Sequence, residues 1–409
     1  MQDPTQSRPG VSIAPGYGEA VPGEAVHASR RTFIGAGAAA LAGLSLGVAG
    51  PASAAPTAPD TPAAPGKGRG EVPFGPVVVT DPGSGAAYAR ATRLGESRSW
   101  LATFQQFSAA GFPIFRSDDD GRTWHKQGSV PGTSGTTGVW LQPSLYELPR
   151  PFGGLPKGAV LFAGNDLGDF SSTQIKLYSS LDQGATWKFL SIVAVGGPPN
   201  PNNGGTPVWE PFLLLHRGRL ICYYSDQRDP KYGQKLAHQT TCDLRTWGPV
   251  VDDVLGPDYD HRPGMTTVAQ VRPDLWILTY ENGNDTTGHP YAVRYRLAKD
   301  PESFVSAPDF VLHDKDGYIP SAAPTVSWSD SGGPAGTIVV TANSDQDLFL
   351  NRHLGDPDKW TRLTTPIPGG YSRFTVPLPH TGPSGLLFIV TGPYYGENGP
   401  IQAGVVRLT

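Results

Sequence analysis

Two short stretches of the chain, Trp209-Glu210-Pro211-Phe212 and Leu278-Thr279-Tyr280-Glu281, each set one glutamate among large apolar groups. A carboxyl group in such surroundings resists ionising, whereas one beside a guanidinium, here Arg228 or Arg262, is held as an anion. One acid and one anion is the division of labour that two-carboxylate hydrolysis of a glycosidic bond requires. The same residues also suit a structural network in which carboxylates simply pair with arginines. Other side chains nearby fit a sugar. Trp209, Tyr224, Tyr280, Tyr318 and Tyr371 offer aromatic faces for C–H surfaces, or are core aromatics. Asn165, Asp166, Asp226, Arg228, Arg262 and Arg373 offer partners for hydroxyls or carboxylates, or form a rim network of their own. His238 lies in mid-strand and reads as core. The nine histidines and the scattered acids have no metal-ligand spacing, so neither a metal nor another cofactor is expected. No G-x-S-x-G elbow or phosphate-binding loop is present.

A repeat fixes the elements that must position these residues. Ser117-Asp118-Asp119-Asp120-Gly121-Arg122-Thr123-Trp124 and Ser180-Leu181-Asp182-Gln183-Gly184-Ala185-Thr186-Trp187 share the pattern S-x-D-x-G-x-T-W. Thr241-Cys242-Asp243-Leu244-Arg245-Thr246-Trp247 is a shorter copy, and Asp300 to Phe304 and Asp356 to Trp360 keep only the acid and the aromatic. The closing aromatics at 124, 187, 247, 304 and 360 recur every 56 to 63 residues. Within one period, residues 209–216, 220–227, 234–241 and 246–251 read as four strands separated by turns. Four strands per period is a propeller blade. The length accommodates six, the sixth built from 373–379, 385–391 and 400–408, with 75–80 as its outer strand. That pairing closes the ring and leaves no long open edge. The expected fold is therefore an all-β, six-bladed propeller with four antiparallel strands per blade.

In such a ring the start of each inner strand and the end of the next strand meet on one rim around the axis. Trp209-Glu210 and Tyr280-Glu281 occupy those positions in neighbouring blades. Asn165-Asp166, Ser225-Asp226, His261-Arg262, Tyr318–Ser321 and Tyr371–Arg373 fall on the same rim.

The S-x-D-x-G-x-T-W turn resembles the Asp-box of sialidase-type propellers. In it the acid accepts backbone N–H groups, the glycine takes a conformation other residues resist, and the tryptophan packs between blades. Residues 208–281 resemble a narrower group, the exo-arabinanases of glycoside hydrolase family 93. The matching stretches are Trp209-Glu210-Pro211-Phe212, Tyr223-Tyr224-Ser225-Asp226-Gln227-Arg228, Gly233-Gln234-Lys235-Leu236 with His238-Gln239, Arg262-Pro263-Gly264-Met265-Thr266-Thr267-Val268-Ala269, and Thr279-Tyr280-Glu281. The resemblance implies cleavage of α-1,5-linked L-arabinan from its non-reducing end, release of arabinobiose and retention of configuration. It places the two catalytic glutamates on Glu210 and Glu281, the pair that the rim positions single out. Retention implies carboxyl groups roughly 5–5.5 Å apart, against roughly 6.5–9.5 Å for inversion. The residue types leave the two roles interchangeable. Arg262, at the start of the next blade's inner strand, favours Glu210 as nucleophile and Glu281 as acid/base. The same fold also suits a sialidase, which would need Arg93, Arg262 and Arg373 to converge on a substrate carboxylate. It suits an exo-acting arabinofuranosidase for another arabinan, or a non-catalytic glycan-binding propeller.

Upstream, Ser29-Arg30-Arg31-Thr32-Phe33-Ile34, an apolar run to Val48 and Ala52-Ser53-Ala54 read as a twin-arginine export signal over 1–54. An Ala/Pro/Gly-rich leader follows over 55–72, then the catalytic propeller over 73–409. The expected product is a secreted, extracellular monomer acting on a polysaccharide or oligosaccharide, with no membrane partner after signal removal. A net charge of −4 offers no basic surface for nucleic acid. The 52 glycines and 42 prolines, with only 17% charged residues, suit many tight turns rather than a helical bundle. Cys222 and Cys242 could bridge in a secreted chain. A turn near 229–231, however, sets Cys222 opposite about residue 238, which argues against a disulfide.

Overall fold

The computed structural model describes residues 73–408 apart from 84, 96, 108, 133–138 and 380–384. The expected export signal and leader lie outside the described residues. The chain enters on β1 (Phe74–Thr80) and then lays down β2 (Ala86–Arg93), β3 (Trp100–Gln106), β4 (Gly111–Ser117) and β5 (His125–Pro131) as the first blade. The second blade is β6 (Trp140–Glu147), β7 (Val160–Asp166), β8 (Thr173–Ser180) and β9 (Lys188–Gly196). The third is β10 (Val208–His216), β11 (Arg219–Asp226), β12 (Lys235–Thr241) and β13 (Val251–Val254). The fourth is β14 (Arg262–Arg272), β15 (Leu275–Gly283), β16 (Ala292–Ala298) and β17 (Asp309–Val311). The fifth is β18 (Thr325–Ser329), β19 (Thr337–Thr341), β20 (Leu348–Asn351) and β21 (Trp360–Leu363). The sixth, β22 (Phe374–Leu378), β23 (Leu386–Thr391) and β24 (Ile401–Arg407), is completed by β1 on its outer edge. The expected six-bladed propeller and its closure are what is observed.

Stability is built between the blades. The six largest apolar clusters each join two neighbours, for example Leu161, Ala163 and Leu177 with Leu213, Cys222 and Tyr224 between blades 2 and 3. Alternation along a strand sends successive side chains into opposite clusters. Along β7, Val160 and Phe162 face blade 1 while Leu161 and Ala163 face blade 3. Both faces being covered, β7 is buried at all seven positions, which explains why these strands read as near-continuous apolar runs.

The Asp-box turns fasten blade to blade. Asp119 accepts hydrogen bonds from the backbone of Arg122 and Thr123 and from the Thr123 and Ser117 hydroxyls. Gly121, at φ +88°, has no room for a side chain: a Cβ there would lie 2.5 Å from the Phe388 ring of blade 6. Asp182 and Gly184 repeat the arrangement against Leu101 of blade 1. One strand differs from expectation. The outer strand of blade 3 starts at Val251, not 246, because Pro249 has no N–H to offer the ladder. Cys222 pairs with Gln239 across β11 and β12, and both cysteines are free thiols.

Candidate active site

Where its inner strand meets the axis, each blade has a non-glycine residue in the left-handed region, preceded in blade 5 by a second, Ala322 (φ +64°). The six are Tyr88 (φ +57°), Gln142 (+59°), Glu210 (+62°), Met265 (+56°), Ala323 (+47°) and Ser372 (+55°). In the first four blades the ladder slips at this point, between Ala87 and Arg90, Leu141 and Ser144, Trp209 and Phe212, and Gly264 and Thr267. Such a bulge costs about 1–2 kcal/mol and frees an amide from strand pairing. A buried amide so freed must find another acceptor, and four of the six take it from a side chain. Gln105 Oε1 accepts from Gln142 N at 3.2 Å, and Gln142 Oε1 from Glu210 N at 3.0 Å. Glu210 Oε2 accepts from Met265 N at 2.8 Å, and Glu281 Oε2 from Ala323 N at 2.8 Å. These bonds run from blade 1 to blade 5, each to the next blade in order.

Both glutamates are thus acceptors in the ring's own hydrogen-bond belt, and both are buried, at 2% and 3% exposure. Glu210 Oε2 also accepts from Ser225 Oγ at 2.5 Å. Ser225 sits opposite Trp209 on the neighbouring strand, one residue before the bulge that turns Glu210 towards the axis. Glu281 lies opposite Gly264, one residue before the bulge of blade 4.

A cation lies within electrostatic reach of Glu210. Arg90 is buried on β2, donating from Nη1 to the Ala89 and Ser372 carbonyls and from Nη2 to Ser372 Oγ. Its guanidinium lies 4.0 Å over the Tyr88 ring. Burial pulls its pKa below the usual arginine range, while the Tyr88, Tyr371 and Glu210 side chains favour its charged form. Tyr88, Met265, Ala323 and Tyr371 form one small apolar cluster, drawn from blades 1, 4, 5 and 6. Blades 1 and 4 are opposite each other in a six-membered ring, so this cluster spans the axis. Tyr371 Oη donates to Met265 Sδ at 3.3 Å within it.

The remaining sequence candidates divide. Trp209 is buried against Val139, Leu141 and Leu167, with its indole N–H on Gln227. Asn165 donates to the Val208 carbonyl, and its own side-chain carbonyl is buried without a hydrogen-bond partner. Asp166 forms a buried ion pair with Lys176 at 2.7 Å. Tyr224 lies wholly inside the blade 2–3 interface, its hydroxyl between Arg228 and Gln239; burial, above all, pushes that hydroxyl's pKa up. Asp226 and Arg228 pair with each other. Tyr280 faces blade 3, with its hydroxyl on Asp309. Tyr318 is the exposed member of the aromatic set, with its hydroxyl on Asp345. Arg373 is buried, donating to the carbonyls of Gln346 and Asp347; burial lowers its pKa to about 10. His238 is wholly buried and bound to Asp253, whose carboxyl burial raises to about 6. Tyr224 and Arg373 are therefore core and scaffold rather than sugar contacts.

Arg262 is a correction. Its guanidinium holds the loop before β10 through Asn203 and the Pro201 carbonyl, and also binds Gln227, Gln234 and the Gly233 carbonyl. A buried cation with electrostatic reach to Glu210 is Arg90, which sequence reasoning missed along with Tyr88 and Met265. Its signal was an arginine set inside the alanine-rich, fully apolar start of β2. Arg93 donates to the Ser97 carbonyl on the outer part of blade 1. The three arginines a sialidase would use are thus committed to separate backbone sites. Among the described residues, no group of three His, Cys, Asp or Glu side chains is arranged to hold a metal ion.

Among solved structures the chain is similar to the GH93 α-L-arabinofuranosidase of Fusarium graminearum in complex with arabinobiose. The identity is 41%, over 82% of this chain and 98% of that one, with a TM-score of 0.77. It is similar also to a Penicillium chrysogenum α-L-arabinanase complexed with arabinobiose, at 40% identity over 83% and 99% of the chains and a TM-score of 0.78. The NanB sialidase of Streptococcus pneumoniae shares the fold, at 10% identity over 81% and 70% of the chains and a TM-score of 0.55. No family model and no curated protein matches the chain.

Proposed function

The chain belongs to glycoside hydrolase family 93, and from that premise we propose that this glycoside hydrolase is a secreted, retaining exo-arabinanase. It takes the non-reducing end of α-1,5-linked L-arabinan and releases arabinobiose. The observation that carries the proposal is the pair of buried glutamates on adjoining sectors of the axis, each fixed through Oε2 by the left-handed amide of the next blade.

Glu210 is the nucleophile. Two donors, Ser225 Oγ and Met265 N, converge on its Oε2, and the Arg90 charge lies within electrostatic reach. Glu281 is the acid/base. In the first step a Glu210 oxygen attacks the anomeric carbon as Glu281 gives its proton to the glycosidic oxygen. The bond to the leaving chain breaks and an arabinobiosyl ester forms on Glu210. In the second step Glu281 takes a proton from water, the water oxygen attacks the anomeric carbon, and Glu210 departs as the anion. Tyr88, Met265 and Tyr371, across the axis, supply the apolar wall for the sugar face.

Purified mature chain incubated with linear arabinan is expected to yield arabinobiose of retained configuration, read by product chromatography and by NMR of the first-formed anomer. Release of arabinose alone, or of an inverted product, overturns the reading. Glu281→Ala should recover turnover in azide, forming a glycosyl azide, and Glu210→Ala should not. Export belongs to the same proposal. Replacing Arg30 and Arg31 with lysine should keep the protein inside the cell, and unchanged secretion would refute the twin-arginine route.

A further inference from the structure

We propose that the cleft between blades 3 and 4 is a second carbohydrate-binding site, one that holds a furanosyl stretch of the polymer outside the catalytic centre. A cavity of about 280 Å³ opens there, on the same rim as the glutamates. It is separate from the axial site because side chains alternate along β15. Tyr280 and Asn282 line the cavity on the blade 3 face, whereas Glu281 between them reaches Ala323 of blade 5.

The wall is polar but electrically balanced. Arg294 binds Asp285 at 3.1 Å and Asp309 at 3.3 Å, and Arg296 binds Asp309 at 3.4 Å. Tyr280 Oη donates to Asp309 at 2.7 Å, and Asn282 donates to Asp285 at 2.8 Å. Two guanidiniums against two carboxylates leave no net charge to attract an anion. Fixed donors and acceptors beside one another suit vicinal hydroxyl groups instead. Leu255, Pro257 and Pro263 add C–H surface of the kind a sugar ring covers. Two buried polar atoms of the lining residues, His261 Nε2 and Arg296 Nε, have no hydrogen-bond partner, a costly state that a hydroxylated ligand could relieve after a small side-chain shift. The volume lies at the small end of ligand pockets, which fits one or two sugar rings.

The choice of arabinan as ligand rests on the proposed function; the site itself does not. Thr286, an exposed residue of the cavity wall, permits a test with little risk to folding. In an inactive Glu210→Gln background, Thr286→Trp should weaken retention by linear arabinan in affinity electrophoresis at least threefold. In the active chain it should raise KM for the polymer by a similar factor and leave kcat/KM on a short arabino-oligosaccharide unchanged within twofold. Asp309→Ala, with one guanidinium then in excess, should lose arabinan retention and gain binding of inorganic phosphate by calorimetry. Unchanged retention in Thr286→Trp overturns the site, as does a parallel fall on the short substrate, which would make the cavity part of the axial centre. Equal, Thr286-dependent retention by galactan overturns the assignment to arabinan. Failure of the parent chain to release arabinobiose sinks the proposed function alone, since retention is measured on the inactive variant.

Discussion

The left-handed backbone at Glu210 makes a prediction whose sign is unusual. At most strand positions alanine is more stable than glycine, because glycine gives up about 0.5–1 kcal/mol more in chain entropy on folding. At φ +62° the order should reverse. A side chain in the left-handed region costs about 1–2 kcal/mol that glycine avoids. Subtracting the entropy term leaves Glu210→Gly more stable than Glu210→Ala by about 0.5–1 kcal/mol. For a chain of this size that is roughly 1 °C in Tm. Both variants strand the Ser225 hydroxyl and leave Met265 N only its longer bond to Ser225 Oγ at 3.3 Å, a loss of about 1–3 kcal/mol. Both therefore fall below the parent, and that shared loss cancels in their difference.

The assay is a paired thermal or denaturant unfolding of the two variants, with activity measured alongside. Loss of the nucleophile should cut kcat/KM about 10⁴-fold or more in both, whichever is the more stable. A second pair supplies the control. Leu213 lies on the same inner strand with ordinary backbone geometry, so Leu213→Ala should be more stable than Leu213→Gly. The reasoning is refuted if alanine is the more stable residue at both positions. It would then follow that the bulge adapts to its side chain rather than dictating its direction.

Three further outcomes follow from the site and the turns around it. Ser225→Ala removes a charge-assisted hydrogen bond worth about 1.5–3 kcal/mol, so kcat/KM should fall about 10- to 100-fold with little change in Tm; a loss under twofold would detach Ser225 from the nucleophile. Tyr224→Phe should cost about 1–3 kcal/mol of stability by removing the donor to Gln239 Oε1 and one of the acceptors of Arg228, yet leave kcat/KM within twofold, and a tenfold loss would return Tyr224 to the sugar site. Asp243, held at about 2 by the amides of Thr246 and Arg245, has a depressed folded value. Its contribution is therefore complete above the ordinary carboxylate range near ~4 and fades as pH falls towards 2. The Tm deficit of Asp243→Ala should shrink across that window, and a constant deficit from pH 6 to 2 would contradict the assignment.

The propeller was legible because its signals are local. Each Asp-box is closed by its own serine or threonine, aspartate and glycine, so the repeat shows in the sequence without knowledge of the rest of the chain. Strand alternation was legible too. Tyr224 shares its side of β11 with Leu220 and Cys222, which marks it as interface core once both faces of a blade are known to be covered. Blade 5 was harder. Its rim was expected at 318–321, but its inner strand starts only at Thr325, because Asp314 caps a turn through the amides of Asp316 and Tyr318. The bulges were not legible at all. Left-handed residues are ordinarily signalled by glycine or asparagine, and here they are Tyr88, Gln142, Glu210, Met265, Ala323 and Ser372. No local preference selects those types. The conformation is imposed by six strands converging on one axis, which is a property of the closed ring.

That imposition has a chemical consequence. A left-handed turn at the axis releases an amide that must be bonded again, and in four of the six sectors the acceptor comes from the preceding blade. In two of the six sectors that acceptor is a glutamate. One carboxylate oxygen is thereby held in the ring's own closure, its direction fixed by backbone geometry instead of by side-chain preference. Catalytic groups gain from being held before substrate arrives, because the ordering has already been done during folding. The same bond therefore serves assembly and chemistry. At Glu210 the Ser225 hydroxyl and the nearby Arg90 charge are added to that bond. A glutamine at either position can keep the amide bonded through its carbonyl and so preserve the ring while losing the charge. Loss of activity with retained stability in Glu210→Gln and Glu281→Gln, set against loss of both in the alanine variants, would separate the two duties of each residue.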